Sequence, residues 1–202
     1  MLQPENQVIE RNIEHFPSGN ILLVDMLDDS ALTDFKQSRP DINWFGYTPF
    51  FDTWQKFEKA ETANTKQVHF TPWLTEKELS TLPGADINQV FDAVIIYFPK
   101  TKLRFDYYLS MVSKLLKSDA TIYVVGEKKG GVKNCAKALS PYTNKANKLD
   151  AARHCMLFTA AFNQYRCPKT LDNWYQTKTV KINIDQKSVS LNLFSLPGVF
   201  SA

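Results

Sequence analysis

Three short, unbroken apolar runs constrain this chain more than anything else in it: Ile21-Leu-Leu-Val24, Ala93-Val-Ile-Ile-Tyr-Phe98 and Ala120-Thr-Ile-Tyr-Val-Val125. A strand with one wet face alternates apolar and polar residues, so runs without alternation predict strands buried on both faces, as in the middle of a parallel sheet. Pro99 ends the second run because it has no N–H to donate to a ladder. Parallel neighbours need crossover connections, and the chain supplies helical ones. Phe105, Tyr108, Leu109, Val112, Leu115 and Leu116 recur at steps of three, one, three, three and one, which places them on one helical stripe. Gly130 to Leu139 predicts a further helix after a glycine-rich start. The fold class is therefore α/β, with a mostly parallel sheet and helices on both faces.

The remaining segments fill in this frame. Asp41 to Lys59 is crowded with aromatics (Trp44, Phe45, Tyr47, Phe50, Phe51, Trp54, Phe57), and the spacing of Phe50, Trp54 and Phe57 suits one face of a helix. These read as packing residues rather than a base-stacking platform. Val68-His-Phe70 predicts a short strand, and Pro83-Gly84 a turn. Cys155-Met-Leu-Phe158 predicts another strand. Thr179 to Ile184 and Val189 to Leu193 alternate apolar and polar around Gln186 and Lys187, which predicts an antiparallel pair at the sheet's C-terminal edge.

A chain of 202 residues, 44% hydrophobic, can bury one sizeable α/β core. No apolar run approaches the roughly 20 residues of a membrane helix, and residues 1 to 7 lack the basic and apolar stretches of a secretory signal. A cytoplasmic location is expected. Cys135, Cys155 and Cys167 form no C-x-x-C pair and read as reduced thiols, while His15, His69 and His154 lack ligand spacing, so no metal is expected. The net charge of +3 hides an asymmetry: residues 1 to 99 sum to −8 and residues 100 to 153 to +8. Such a positive stretch can attract a polyanion, although from charge alone a solvated lysine-rich face is the simpler explanation.

Loops after the strands carry the chemistry of such sheets. Close backbone approach to a nucleotide cofactor favours glycine after the first strand. Here the loop reads Asp25-Met-Leu-Asp-Asp-Ser30, without a glycine. Asp28 and Asp29 read as helix-start residues. Gly126-Glu-Lys-Lys-Gly-Gly-Val-Lys133 fails as a P-loop because no Gly-Lys-Ser/Thr ending is present. It remains a turn whose lysines and backbone N–H groups could hold a phosphate, or an ordinary surface turn. Asp150, Arg153 and His154 read as a salt-bridged strand entrance rather than a catalytic set.

Four segments in one order, Tyr97-Phe-Pro-Lys100, Val124-Val-Gly-Glu-Lys-Lys-Gly-Gly-Val-Lys133, Leu149-Asp-Ala-Ala-Arg153 and Leu196-Pro-Gly-Val-Phe-Ser201, resemble the N-terminal domain of the ribosomal RNA small subunit methyltransferase C family of guanine-N(2)-methyltransferases. The resemblance is best from about residue 90 onward. It implies a Rossmann-like methyltransferase-type sheet. It further implies that a C-terminal domain beyond this chain carries the S-adenosylmethionine glycines and an Asn-Pro-Pro-Phe type motif, while this half is a degenerate copy. The residues agree: Tyr97 to Lys100 has no Asn or Asp where that motif would lie, and Met26 to Asp29 stands where the cofactor glycines would. Residues 1–195 are expected to form the degenerate domain and 196–202 to begin a linker to the catalytic one.

The expectation is a domain with no catalytic residue, cofactor site or metal of its own. It would help hold small-subunit ribosomal RNA through Lys100, Lys102, Arg104, Lys128, Lys129, Lys133 and Lys137, since phosphate contacts position a nucleic acid without reading it. The alternative is a purely structural domain that stabilises the catalytic half without touching RNA.

Overall fold

A computed structural model of the chain describes residues 2–27, 29–60, 68–79, 90–163, 170–184 and 187–197. The expected Pro83-Gly84 turn, Asp28, Cys167, Gln186 and residues 198–202 lie outside the described residues. Seven strands form the main sheet: β1 (Gly19–Val24), β2 (Ile42–Thr48), β3 (Val68–Phe70), β4 (Phe91–Tyr97), β5 (Leu116–Glu127), β6 (Thr143–Ala152) and β7 (Cys155–Phe162). Their order across the sheet is β3-β2-β1-β4-β5-β7-β6. The pairs β2/β3, β1/β2, β1/β4 and β4/β5 are parallel, whereas β7 runs antiparallel to both β5 and β6. One strand therefore opposes all the others.

Both faces are covered, which is why the three apolar runs lack alternation. Leu22, Val24, Val94 and Ile96 point into a core shared with α5 (Lys102–Val112) and α6 (Cys135–Leu139), through Phe105, Tyr108, Leu109 and Cys135. Ile21, Leu23, Ala93 and Ile95 point the other way, onto Val8 and Ile9 of α1 (Pro4–Arg11) and Ala31, Leu32 and Phe35 of α2 (Ala31–Ser38). Full burial of each such aliphatic side chain stabilises by about 1.5–3 kcal/mol. At the sheet's lower end Gly19 adopts φ +109°, and a Cβ there would stand 2.3 Å from an Asp92 carboxylate oxygen. That carboxylate accepts from the Asn20 backbone N–H at 2.8 Å and from Lys117 Nζ at 2.7 Å.

The structure corrects two sequence expectations and adds two strands that the sequence did not announce. Trp44, Phe45 and Tyr47 belong to β2, one of the added strands, while Trp54 and Phe57 lie on the helix α3 (Phe51–Ala60) with Phe50 just before it; β2 is buried on both faces, so its aromatics show no period of two. The helix after β4 ends at Val112, with Leu115 in a tight turn and Leu116 opening β5, because Lys114 and Leu115 donate to the carbonyls of Met111 and Val112. The segment Thr143–Ala152, too polar to read as a strand, is the edge strand β6. Its outward Lys145 and Lys148 are the charges that keep an edge from pairing with another chain. Finally, β8 (Gln176–Ile184) and β9 (Lys187–Ser195) pair with each other as a separate two-stranded sheet, since β6 already occupies the C-terminal edge.

Candidate functional site

Strand order reverses between β1 and β4, and their C-terminal ends open a crevice of the kind in which α/β sheets bind ligands. A cleft of about 460 Å³ lies there, lined among others by Glu5, Asp25, Phe50, Tyr97, Lys100 and Arg104. The first residue after β1, Asp25, turns the chain with φ +62°, a conformation aspartate tolerates better than most residues. Its carboxylate accepts from Tyr108 Oη at 2.9 Å and faces Arg104 Nη1 at 3.8 Å. Burial raises its pKa above the usual value, and the Tyr108 bond and the Arg104 charge oppose that rise without cancelling it. The Arg104 guanidinium lies over the Phe50 ring, 4.8 Å from its centroid. Next in sequence, Met26 is buried, and its sulfur stands 2.5 Å from where a Cβ on Gly46 would be. The glycine that makes room in this crevice is thus on β2, and a side chain of the chain itself takes the space.

A second set of bonds ties α1 across the same end of the sheet. Asn6, fully buried, donates to both carboxylate oxygens of Asp29 at 2.8 and 2.9 Å and accepts from Tyr97 Oη. Asp29 also accepts from the backbone N–H of Gln3 at 2.7 Å and of Ala31 at 2.9 Å. The second of these is the helix-start role expected of Asp29. Burial holds the Tyr97 hydroxyl well above its ordinary pKa, so it stays a donor. Asn6 carried no sequence signal, because a polar residue on an amphipathic helix is ordinarily solvated.

The candidate RNA-binding residues divide. Lys100 and Lys102 are exposed where β4 gives way to α5, and Lys128 and Lys129 are exposed just past β5. β4 and β5 are parallel neighbours, so both pairs stand at one end of the sheet. Lys133 and Lys137 follow, exposed, on the 3-10 turn Val132–Asn134 and on α6. Arg104 departs from the group: it is half-buried and turned to Asp25. Arg153 instead stands on the rim, exposed in the β6–β7 turn with φ +50°, and the neighbouring His154 carbonyl accepts from the Lys128 N–H at 2.9 Å. Arg153 and His154 were expected to pair with Asp150, but Asp150 faces Arg11 at 3.3 Å and accepts from Asn12 at 2.7 Å, which lowers its pKa.

The glycine-rich loop differs from a phosphate cradle. Gly131 supplies φ +88° at the start of the 3-10 turn. The Lys128 and Gly130 amides donate to His154 and Glu127 carbonyls, and the helix beyond is only five residues long. The lysine side chains remain as its outward chemistry. Elsewhere, Cys135 and Cys155 are free and buried, and burial pushes both thiols up to about 12. Among the described residues, no cluster of His, Cys, Asp and Glu could hold a metal ion, and no helix is long and apolar enough to cross a membrane.

Sheet order, the single opposing strand and a crevice at the β1/β4 reversal define a Rossmann-like domain of the methyltransferase type. Solved structures share this fold: a T. Thermophilus 16S rRNA N2 G1207 methyltransferase in complex with AdoMet and guanosine superposes with a TM-score of 0.68 at 14% identity, covering 99% of this chain and 48% of that one. A SAM-dependent O-methyltransferase from Thermotoga maritima superposes with a TM-score of 0.56 at 10% identity, covering 84% of this chain and 68% of that one. The chain belongs to the family described as methyltransferase small domain N-terminal, whose model matches residues 6–178. It is 30% identical over 201 residues to ribosomal RNA small subunit methyltransferase C of Pseudoalteromonas atlantica, covering 100% of this chain and 54% of that protein. It is 32% identical over 200 residues to the protein of the same description from Acinetobacter baumannii (strain AYE), covering 99% and 52%. The chain spans about half the length of the curated relatives it matches.

Proposed function

We propose that this domain is the non-catalytic, RNA-holding half of an S-adenosylmethionine-dependent guanine-N(2)-methyltransferase acting on small-subunit ribosomal RNA, and that it also supports a catalytic C-terminal half. The observation that carries this reading is the internal pairing of the switch-point crevice. Asp25 is held by Tyr108 and Arg104, Met26 lies against Gly46, and Asn6 links Asp29 to Tyr97. These residues do not fit S-adenosylmethionine: close approach is blocked by Met26, and the β4 end offers Tyr97, Phe98, Pro99 and Lys100, with no amide or carboxylate side chain to accept from a guanine amine. Cofactor and methyl transfer then belong to the other half.

Lys100, Lys102, Lys128, Lys129, Lys133 and Lys137 supply what remains, a row of exposed ammonium groups on one end of the sheet and the turn beyond it. Ammonium groups on phosphates give affinity that falls with salt and carries no sequence information. Fluorescence anisotropy with a small-subunit rRNA fragment tests this. Replacing Lys128, Lys129 and Lys133 together by Glu is expected to weaken binding at least about tenfold and to flatten the salt dependence by about 0.7 per lost single-strand phosphate contact. Unchanged affinity would remove the RNA role. Titration calorimetry with S-adenosylmethionine is expected to show no heat of binding to the 202-residue chain, and tight binding would overturn the non-catalytic assignment.

A further inference from the structure

Exposed large hydrophobic side chains are not spread over this molecule. Among the described residues they are Phe51, Phe70 and Leu103 on the main domain, and then Tyr175, Ile182, Val189, Leu191, Leu193 and Phe194, all on or beside the β8–β9 hairpin. The register sorts the hairpin residues by face. Val180 pairs with Leu191, Ile182 with Val189 and Lys178 with Leu193, so one face carries Val180, Ile182, Val189, Leu191 and Leu193, with Lys178 at its end. The opposite face pairs Thr179 with Asn192 and Lys181 with Ser190, with Phe194 set opposite Thr177 at its end. This is the pattern of a sheet with one dry and one wet face, yet Leu193 is 52% exposed and Leu191 43%. A lone two-stranded hairpin is marginal in water, and contiguous apolar patches of this kind mark interaction sites.

We infer that the apolar face of the β8–β9 hairpin is the seat of the second half of the longer methyltransferase polypeptide, an inference that rests on the reading above that such a half exists. Three observations commit it to that occupant. The chain matches only 54% and 52% of its relatives' length, while the match runs through the hairpin, covering 100% and 99% of this chain. The hairpin ends at Ser195, and Leu196 packs back into the main core. Polypeptide continuing from there is tethered beside the face, at an effective concentration of about millimolar for a short linker. Apart from Lys178 the apolar side chains of this face are aliphatic and include no aromatic ring, whereas unpaired bases are held by aromatic stacking, so it suits a protein surface and not RNA. Lys178 stands on this face opposite Leu193, a positive charge at its margin that favours an acidic residue on the partner.

Hydrogen–deuterium exchange of the 202-residue chain, compared with that of the full-length polypeptide, tests the inference. Amides of Val180, Ile182, Val189, Leu191 and Leu193 are expected to exchange at least about tenfold more slowly when the second half is present. Replacing Leu191 and Leu193 together by Asp is expected to abolish that protection and to leave β1 and β4 protected as before, which separates lost docking from lost folding. Equal exchange in the two polypeptides overturns the inference. So does sedimentation of the 202-residue chain as a dimer that the Asp substitutions dissociate, which would assign the face to a second copy. Protection arising only when an rRNA fragment is added overturns it as well. The lysine reversals above are read by RNA affinity, and the hairpin by exchange, so either idea can fail while the other stands.

Discussion

The β1/β4 crevice and the β8–β9 hairpin are opposites. In the crevice the chain satisfies itself: a buried carboxylate is met by Tyr108 and Arg104, and Asn6 bridges Asp29 and Tyr97. On the hairpin the chain leaves itself unsatisfied, with leucines open to water on one face and hydroxyls, an amide, a lysine and the exposed Phe194 on the other. Buried polar groups must be paired, and exposed aliphatic faces gain by being covered. The difference teaches where this domain has closed its own chemistry and where it depends on something else.

That contrast can be broken in four places, and the largest effect belongs to Arg104→Met. It strands the Asp25 carboxylate in the crevice and is expected to cost about 3 kcal/mol in urea unfolding at pH 7. The pH dependence has a definite sign. The folded pKa of Asp25 is raised above 3.8, so its contribution is complete below the unfolded value and lost as pH rises through the folded one. The cost of Arg104→Met should therefore shrink as acid neutralises Asp25, and a cost independent of pH would show that the pair is not what matters. Asn6→Ala comes next, at about 2 kcal/mol, because it leaves the buried Tyr97 hydroxyl without its acceptor and takes a donor from both Asp29 oxygens. Restoring stability with Asn6→Ala/Tyr97→Phe would sharpen that account.

Gly46→Ala is expected to cost about 1 kcal/mol, since the new methyl displaces the Met26 sulfur. In a double-mutant cycle Met26→Ala should recover much of it, and full additivity would deny the contact. Smallest of all is Leu193→Ser in the 202-residue chain, expected to stay within about 0.5 kcal/mol of the wild type because the side chain touches little there. A large loss would mean that the hairpin already supports the domain, and the contrast would fall.

Much of the sheet was legible because burial on two faces writes an apolar run directly into the sequence, as at Ile21 to Val24 and Ala93 to Phe98. β6 was not, since an edge strand with Lys145 and Lys148 needs no apolar run at all. β2 gave no strand signal because aromatics buried on both faces show no period of two. At the candidate site, Lys100, Lys102, Lys128 and Lys129 could be nominated from charge, but their gathering at one end of the sheet depends on β4 lying beside β5. Arg104 and Arg153 exchange roles for the same reason: the one is drawn inward by a carboxylate 79 positions away in the chain, and the other is carried outward by a tight turn.

By itself the amino-acid sequence determined that this is an α/β chain with parallel strands, a glycine-free first loop and a positively charged second half, because hydrophobic period, backbone freedom and charge are local properties. Only the tertiary structure decided that Met26 would fill the space above Gly46, that Asn6 would bridge Asp29 and Tyr97, and that one face of the last hairpin would be left uncovered. Those outcomes depend on which distant residues meet, and long-range pairing is set by the packing of the whole domain.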